Sequence, residues 1–407
     1  MTIDYDELLD LLSVPRPNGS AAERATLAAL KRWLEARGIA YQTHGFRQYP
    51  YLYQAVGAWL IGSRALLALA VLRRWGWPAL PIAGVGLAGG VLDTFGVPLV
   101  GWPGARRGES LLLEFGPPDA DREIILAAHY DSKTELLGRN QAHFFISRLP
   151  LGIALSVLLG LLGPLDHWLA RRRSPLAHLT YALGLAVSPI LLGLASGLGL
   201  HLMLGRLVAP SQGAVDNGAA CAILLGLAAR LAGGQIPLQQ TRVRIALFGA
   251  EEVNMQGSRA FVREQYRDGP TGRPVVAVNL ELLGQDGGYL LWRKDGNALR
   301  SVDTSPEVNA LVGGAVKQVT GQAPPVEGLL NSDTFSFLSA GIPAAVLGSF
   351  DAREGNSGMH SAADRRERVH VARLHETVAI LEQTLLRYDA LPAWLLPADL
   401  PQPEQRV

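Results

Sequence analysis

The 407-residue sequence predicts an α/β protein with a mostly parallel central sheet flanked by helices, interrupted by two inserted apolar helical hairpins. Three observations lead to this prediction. Apolar strands without polar alternation are interspersed with helical segments, as expected when helices cover both faces of a largely parallel sheet. Acidic and imidazole side chains follow several of these strands. Hydrophobic residues make up 48% of the chain, and their excess is concentrated in two blocks.

The individual elements are predicted from apolar runs and from the residues that bound them. Strands are predicted at Leu111–Glu114, Glu123–Ala128, Arg242–Gly249, Val275–Leu283, Gly288–Arg293 and Ala344–Gly348. Helices are predicted at Gly218–Ala232, Ser258–Tyr266, Val369–Leu386 and from Pro306 onward, and amphipathic helices are expected within Asp4–Arg37. The proline-rich segment from Leu391 is expected to be irregular.

The apolar blocks run from Tyr53 to about Gly101 and from about Leu149 to Gly205. Each contains two apolar segments of about 20 or more residues, which is enough to cross the hydrocarbon core of a bilayer. Arginine turns separate the segments, at Arg73-Arg74 in the first block and at Arg171–Arg173 in the second. Two spans form a hairpin that returns to the side it left. We therefore expect an integral membrane protein with four transmembrane helices and a main domain on one side of the bilayer.

Buried core helices of a soluble protein are the alternative interpretation of the two blocks. Arg64 and Asp93 lie inside the first hairpin, where ionisable groups are costly unless they pair or face a polar cavity. Their similar depth suggests the hypothesis that they contact each other. Membrane orientation stays open because arginines occur both at the turns and at the flanks of the main domain. The polar N-terminal segment, which lacks a signal-peptide pattern, favours a cytoplasmic main domain.

The hairpins divide the sequence into a discontinuous main domain and two insertions. The predicted boundaries are 1–52, 102–148 and 206–390 for the main domain, 53–101 and 149–205 for the hairpins, and 391–407 for the tail. The formal net charge of +1 does not indicate a nucleic-acid partner. The single cysteine, Cys221, excludes an internal disulfide and a thiolate-rich metal site. The oligomeric state cannot be read from the sequence.

Residue types that bind metals or transfer protons recur at the strand ends of the main domain. They are His129, Asp131, Asp216, Glu251, Glu252, Glu281 and His360. A strand end presents its side chain into the crevice above a parallel sheet. Carboxylates gathered there are costly unless they are neutralised, and a pair of divalent cations would neutralise them. The pattern therefore predicts a metallohydrolase.

Most of these residues also have an ordinary structural explanation. Asp131 could belong to a surface turn, and Asp216 could cap the helix that follows it. Glu251 and Glu252 could lie in a solvated loop, but adjacent carboxylates after an apolar strand also suit a ligand beside a general base. Glu281 is more informative, because an unpaired carboxylate in a buried strand costs on the order of several kcal/mol.

Taken together, these segments resemble peptidase family M28, the group of zinc aminopeptidases and glutaminyl cyclases. The matching segments are Ala127–Ser132, Ala214–Gly218, Phe248–Glu252 with Gly257–Arg259, Asn279–Gly284, Ser332–Asp333 with Gly341–Pro343, and Met359–Ser361. Outside the hairpins the resemblance covers most of the chain. It implies a zinc-peptidase-like fold and an aminopeptidase that hydrolyses N-terminal residues of peptide substrates, and the two hairpins would anchor this enzyme in a membrane.

The resemblance also implies a centre with two zinc ions per chain. Asp216 would bridge the zincs, while His129 and Glu252 would each bind a different one. Glu281 and His360 would complete the two coordination shells. Aminopeptidases of the family usually have aspartate where Glu281 stands.

The catalytic roles implied by the resemblance fall on two further residues. Glu251 would act as general base, and Asp131 would hold the ring of His129. A hydroxide bound by both zincs would then attack the scissile carbonyl group of the peptide.

Two other functions stay open. A glutaminyl cyclase-like acyltransferase would use a single zinc, but Met359 stands where such enzymes tend to place tryptophan, and the segment after Glu252 is short, as in aminopeptidases. A non-catalytic scaffold on the peptidase fold would have lost ligands, whereas only the conservative Glu281 departs from the pattern. The number of bound zincs separates the first alternative from an aminopeptidase.

Overall fold

The computed structural model describes residues 3–94, 97, 100–102, 104–267, 273–297, 300–350 and 358–392. The chain divides into two compact units. Unit 1 contains Met1–Gln48, Arg106–Thr134 and Pro210–Val407, and unit 2 contains Tyr49–Ala105 and Glu135–Ala209. From residue 393 onward, the tail expected to be irregular lies outside the described residues.

Helices and strands alternate along most of unit 1, whereas unit 2 is helical. The helices are α1 Tyr5–Leu12, α2 Ala21–Glu35, α3 Leu52–Leu72, α4 Ala79–Thr94, α5 Arg139–Ile146, α6 Leu149–Arg171, α7 Leu176–Met203, α8 Ala219–Ala232, α9 Gln256–Gln265, α10 Pro306–Thr320, α11 Thr334–Ser339 and α12 Val371–Asp389. The strands are β1 Gln42–Gln48, β2 Arg106–Phe115, β3 Arg122–His129, β4 Thr241–Phe248, β5 Val275–Glu281, β6 Gly288–Gly296, β7 Ser301–Asp303, β8 Val326–Leu330 and β9 Ala344–Phe350.

The strands form one nine-stranded sheet in the order β1-β2-β4-β3-β5-β9-β6-β7, with β8 paired to β6. The central strands β4, β3, β5 and β9 are parallel. Antiparallel pairs join β1, β2, β6 and β7 at the two sides. The predicted α/β fold with a helix-flanked central sheet is confirmed, and the sheet is mixed because its outer strands run antiparallel. Since the central strands are parallel, their carboxyl ends meet at one edge.

Both faces of the central strands are buried, which explains their unbroken apolar sequences. Ile124 and Leu126 of β3 belong to the core that packs against α1, α2, α8, α10 and α12. Ile125 and Ala127 belong to the opposite core, where α9 and α11 contribute Phe261 and Phe337. The two cores hold the ends of β3, β4 and β5 in fixed positions.

Strand β1 is an element that the sequence analysis did not predict. Its buried positions alternate along the sequence QTHGFRQ, and they are occupied by His44, Phe46 and Gln48. Two of these three side chains are polar, so the alternation is not visible as hydrophobic periodicity. The strand is recognisable only through its pairing with β2.

Unit 2 contains three segments that are long and apolar enough to cross a membrane. They are Leu52–Leu72, Gln141–Arg171 and Leu176–Met203, and 22–39% of their most apolar windows is buried within the protein. Most of the large exposed hydrophobic side chains of the described residues also belong to this unit. An apolar surface of this extent is typical of helices that face lipid.

The fourth helix that meets the same length and hydropathy criteria is Ala214–Ala232, which includes α8. It is 89% buried, within the core of unit 1, so we interpret it as a core helix. For the second span predicted in the first hairpin, the helix among the described residues is α4, whose 16 residues correspond to about 24 Å of helix.

Close helix packing in unit 2 depends on small residues. A Cβ atom on Gly57 of α3 would lie 2.6 Å from the carbonyl oxygen of Gly199, and a Cβ atom on Gly199 of α7 would lie 2.7 Å from that of Gly57. Such reciprocal contact of backbones is common between membrane helices.

Of the two ionisable side chains inside the first hairpin, the structure describes that of Arg64. Arg64 is buried and donates hydrogen bonds to Ser63 Oγ at 2.7 Å and to the Gly86 carbonyl oxygen at 2.8 Å. The side chain of Asp93 lies outside the described residues. The Arg64–Asp93 contact therefore stays a hypothesis.

Candidate metal centre

Three central strands carry most of the candidate site at their carboxyl ends. His129 ends β3, Glu251 and Glu252 follow β4, and Glu281 ends β5, while His360 comes from the segment between β9 and α12. Asp216 is added from the turn Ala214–Gly218, which leads directly into α8. The fold thus brings together residues from widely separated parts of the sequence, at the edge where parallel sheets bind ligands.

Asp216 lies between the two imidazoles. Its Oδ1 is 3.2 Å from His129 Nε2, and its Oδ2 is 3.1 Å from His360 Nε2. The two oxygens of one carboxylate thus face two different ring nitrogens. This arrangement suits a carboxylate that is shared between two neighbouring ligand sets.

A glutamate completes each set. Glu281 Oε2 is 3.6 Å from His129 Nε2, on the Oδ1 side of Asp216. Glu252 Oε2 is 3.1 Å from His360 Nε2, on the Oδ2 side. The first set is therefore His129, Asp216 and Glu281, and the second is His360, Asp216 and Glu252.

Glu251 belongs to neither set but reaches the same space. Its Oε2 is 3.8 Å from His129 Nε2, and the side chain is largely buried. Glu251 is therefore next to the two sets, almost as close to His129 Nε2 as Glu281 is, and its role as general base stays a prediction.

Asp131 has a wider structural role than the sequence analysis assigned to it. The nearest atom of Asp131 to His129 Nδ1 is its carbonyl oxygen, at 3.2 Å, whereas its carboxylate oxygen is 3.6 Å away. The carboxylate instead accepts hydrogen bonds from the backbone N–H groups of Glu251 and Glu252, at 3.2 and 3.0 Å. Asp131 therefore positions the loop that carries both glutamates, and its backbone orients the imidazole.

Two asparagines hold Glu281 in place. Asn279 donates to Oε1 at 2.9 Å, and Asn217 donates to Oε2 at 3.0 Å. Asn217 is adjacent to Asp216 in the chain, so the same turn positions the shared carboxylate and the glutamate of the first set. These contacts compensate part of the cost of burying Glu281 inside a strand.

Several residues at the site have a left-handed backbone. Ala250 precedes Glu251 with φ of 60°, Leu282 follows Glu281 with φ of 56°, and His360 itself has φ of 58°. This conformation costs a non-glycine residue on the order of 1 kcal/mol or more. Such strain clusters at functional sites, where the surrounding fold maintains it.

The charges of the site perturb one another strongly. Burial raises the pKa of Glu251 well above its usual range, and the neighbouring Glu252 adds to the rise. Burial opposes ionisation of Asp216, but hydrogen bonds from His129 and His360 outweigh it and lower the pKa of this carboxyl group. Burial likewise opposes the charged form of His129, yet Glu251 and Glu281 raise its pKa well above the usual value.

The donor atoms fit a divalent cation. Ligand atoms of His129 from the first set, Glu252 from the second and the shared Asp216 all lie within 4.8 Å of one another, so the two sets are adjacent. Glu252 Oε1 is buried and has no hydrogen-bond partner among the described residues. Imidazole nitrogens and carboxylate oxygens are the donors that zinc uses in hydrolytic sites. Cations here would favour the ionised form of Glu251 and the neutral form of His129, which the buried cluster alone disfavours.

Two supporting residues were not identified as functional in the sequence analysis. Arg16 is fully buried, and its guanidinium donates to the carbonyl oxygens of Gln212 and Gly213 at 2.8 Å, and also to that of Tyr130. It links the segment before Asp216 to the residue after His129. No sequence motif marks Arg16, because its partners are backbone atoms far away in the chain.

Asp364 is the second supporting residue. Its carboxylate accepts hydrogen bonds from the backbone N–H groups of Val215 and Asp216, at 2.7 and 3.2 Å. Burial raises its pKa to about 6. It lies four positions after His360 in the sequence.

We expect Asp364→Ala to lower zinc affinity by roughly 10–100-fold, the usual effect of removing a group that orients a ligand. Titration against a competing chelator measures the change. Asp389→Ala is the matched control, because Asp389 accepts two backbone N–H groups, from Gln239 and Gln240, and neither belongs to the site. Equal losses of zinc affinity in the two variants would show that Asp364 acts only through general stability.

Comparison with known proteins agrees with this fold. The model described as "Peptidase family M28" matches residues 201–385. An aminopeptidase from Aneurinibacillus sp. strain AM-1 is 13% identical and has a TM-score of 0.54, with 96% of this chain and 94% of that chain covered. The zinc aminopeptidase BSAP from Bacillus subtilis is also 13% identical, with a TM-score of 0.53 and 97% of each chain covered.

The structural likeness extends to cyclases. The glutaminyl cyclase from Fimbriiglobus ruber is 15% identical and has a TM-score of 0.52, with 95% of this chain and 96% of that chain covered. No curated protein matches the sequence. At these identities the solved structures show a common fold. The family match over residues 201–385, which include Asp216, Glu252, Glu281 and His360, and the shared zinc-peptidase-like fold confirm the resemblance to peptidase family M28 that the sequence predicts.

Proposed function

We propose that this protein is a membrane-anchored aminopeptidase that removes N-terminal residues from peptides with the help of two zinc ions. The observation that carries the proposal is the position of Asp216, whose two oxygens face His129 and His360 at 3.2 and 3.1 Å. A site for one zinc would need only one of the two sets around Asp216. The presence of both His129 with Glu281 and His360 with Glu252 supports a binuclear site.

The residues would divide the work of peptide hydrolysis. Bound zinc ions would polarise the scissile carbonyl group and lower the pKa of a water molecule. Glu251 would accept the proton of the attacking water and return it to the leaving amine. Asp131 would keep Glu251 in position, because its carboxylate accepts a hydrogen bond from the backbone N–H group of Glu251. Asn217 and Asn279 would keep Glu281 directed at the first set.

Anchorage in a lipid bilayer is the second part of the proposal. It is supported by the long apolar helices of unit 2 and by the exposure of their apolar side chains. Resistance of the full-length protein to extraction with alkaline carbonate would test it. The side of the membrane that unit 1 occupies is a separate question, which protease protection in sealed vesicles would answer.

The enzymatic test is a panel of fluorogenic aminoacyl amides assayed with the purified full-length protein. We expect hydrolysis of amides with a free α-amino group, loss of at least 100-fold of the activity after chelation, and recovery on addition of zinc. N-acetylated amides are the matched control, since they lack the free amine. Equal hydrolysis of free and acetylated substrates would contradict the aminopeptidase assignment.

A glutaminyl cyclase-like activity is the second candidate, supported by the fold shared with the Fimbriiglobus ruber cyclase. The same panel distinguishes it when an N-terminal glutaminyl amide is included. Cyclisation with loss of ammonia, together with one zinc per chain by elemental analysis, would favour the cyclase over the aminopeptidase.

A further inference from the structure

The two arginine turns of unit 2 lie against each other. Arg74, in the turn between α3 and α4, donates from Nε and Nη2 to the carboxylate of Asp166 in α6, at 3.0 and 2.9 Å. Tyr181 of α7 donates from its hydroxyl group to the Leu72 carbonyl oxygen at 3.2 Å. Thr180 adds a hydrogen bond to Asp166 at 3.0 Å. The turns of both hairpins therefore form one surface, which we call the arginine surface and define by Arg73 and Arg171–Arg173.

The arginine surface has a large unbalanced positive charge. The segments 71–80 and 165–181 contain five arginines and a single acidic residue, Asp166. That residue is buried and is engaged by Arg74 in a two-point ion pair. Arg73 and Arg171–Arg173 are exposed. Four exposed guanidinium groups on one small surface repel one another and favour a polyanionic partner.

The backbone of the turns holds arginine where glycine is the ordinary residue. Arg74 and Arg173 have φ of 51° and 52°. In each turn the next N–H group reaches back to the end of the helix, from Trp75 to Ala70 and from Ser174 to Leu169, which is the hydrogen bond of a Schellman motif. Glycine would relieve the strain at both positions. Both turns therefore keep an arginine at a position where its left-handed backbone conformation is strained.

Aromatic side chains surround the charges. Trp75, Trp77 and Trp168 are 43%, 65% and 48% exposed. The guanidinium of Arg172 lies 4.1 Å from the ring centre of Trp168. Exposed tryptophans at the ends of apolar helices are typical of the headgroup region of a bilayer, because one side of the ring is apolar and its N–H group is polar.

We infer that the arginine surface binds the headgroups of anionic phospholipids. The inference rests on the membrane anchorage proposed above and adds a lipid preference to it. Guanidinium groups pair with phosphate through two parallel hydrogen bonds, and the tryptophans place this pairing at headgroup depth. Each arginine near an anionic membrane surface contributes roughly fivefold in affinity.

The experiment measures lipid binding to the full-length protein in neutral detergent. Phosphatidylglycerol and phosphatidylcholine with identical acyl chains are titrated separately, and bound lipid is counted by native mass spectrometry. We expect phosphatidylglycerol to bind at least tenfold more tightly. The triple variant Arg171→Gln, Arg172→Gln, Arg173→Gln should lose this preference, whereas the corresponding triple lysine variant should keep most of it.

The matched control is the triple variant Arg32→Gln, Arg263→Gln, Arg293→Gln, which removes the same charge from exposed positions of unit 1. It should bind phosphatidylglycerol like the wild type. Equal binding of the two lipids, an equal loss in the control variant, or full competition by inorganic phosphate would overturn the inference.

Carbonate extraction separates this inference from the proposed anchorage. A protein that stays in the membrane and has no lipid preference refutes the arginine surface alone. A protein that is released refutes the anchorage and the arginine surface together. Hydrolysis of aminoacyl amides in detergent reports on the peptidase activity independently of either result.

Discussion

Glu251→Gln is expected to lower turnover by roughly 10²–10⁴-fold while the protein keeps its full zinc content. Glu251 approaches His129 Nε2 at 3.8 Å but belongs to neither ligand set. Glutamine has nearly the same shape and cannot accept the proton of the attacking water. The backbone N–H group of residue 251 would still bond to Asp131, so the loop should keep its position. The measurements are kcat on an aminoacyl amide and zinc per chain by elemental analysis.

The adjacent glutamate provides the matched control for this prediction. Glu252→Gln removes a ligand of the second set, where Oε2 faces His360 at 3.1 Å. We therefore expect it to lose zinc as well as activity. A Glu251→Gln protein that turns over at the wild-type rate would exclude Glu251 as the general base. One that loses zinc to the same extent as Glu252→Gln would make it a ligand.

Asp216→Asn is the change with the largest expected effect on metal content. Because Asp216 contributes one oxygen to each ligand set, its replacement removes an anionic ligand from both. We expect the zinc content to fall from about two per chain to less than one, and activity to fall by roughly 10³-fold or more. His129→Ala or His360→Ala should each affect mainly one zinc.

Thermal unfolding provides a second measurement of the same variant. A ligand present at 1,000 times its dissociation constant stabilises the folded state by about 4 kcal/mol per site. Chelation should therefore lower the melting temperature of the wild type clearly and that of Asp216→Asn little. Asp303→Asn, at an exposed position in unit 1, is the control and should respond like the wild type. If Asp216→Asn retained two zincs, the proposal that Asp216 is a ligand shared by both zincs would be refuted.

The positions of the site residues could be predicted because strand ends are visible in the sequence. His129 and Glu281 end apolar strands, and the two glutamates follow another. In a parallel sheet these positions converge whatever the loops do. The helix that follows Asp216 was also predicted from its apolar sequence.

The supporting contacts could not be predicted in this way. Asp131 faces the imidazole with its carbonyl oxygen and holds the glutamate loop with its carboxylate. Asp364 and Arg16 act on backbone atoms far away in the sequence. Backbone groups are the same at every position, so nothing in the chain identifies which of them a side chain will reach.

The apolar helices likewise divide into a part that the sequence predicts and a part that only the tertiary structure decides. Hydropathy identified the long apolar segments of unit 2, but it also fits α8, which is 89% buried. An apolar helix has the same composition in a protein core and in lipid, and only its neighbours separate the two cases. The polar strand β1 is the converse case, since its buried side chains are largely polar.

By itself, the order of residues determined the fold class, the apolar blocks and the resemblance to peptidase family M28, because periodicity, segment length and motifs can be read along a chain. The tertiary structure decided which oxygen of Asp216 faces which imidazole, what holds each ligand, and that the two arginine turns meet. These are distances between segments remote in sequence, and they are set by how the helices and strands pack.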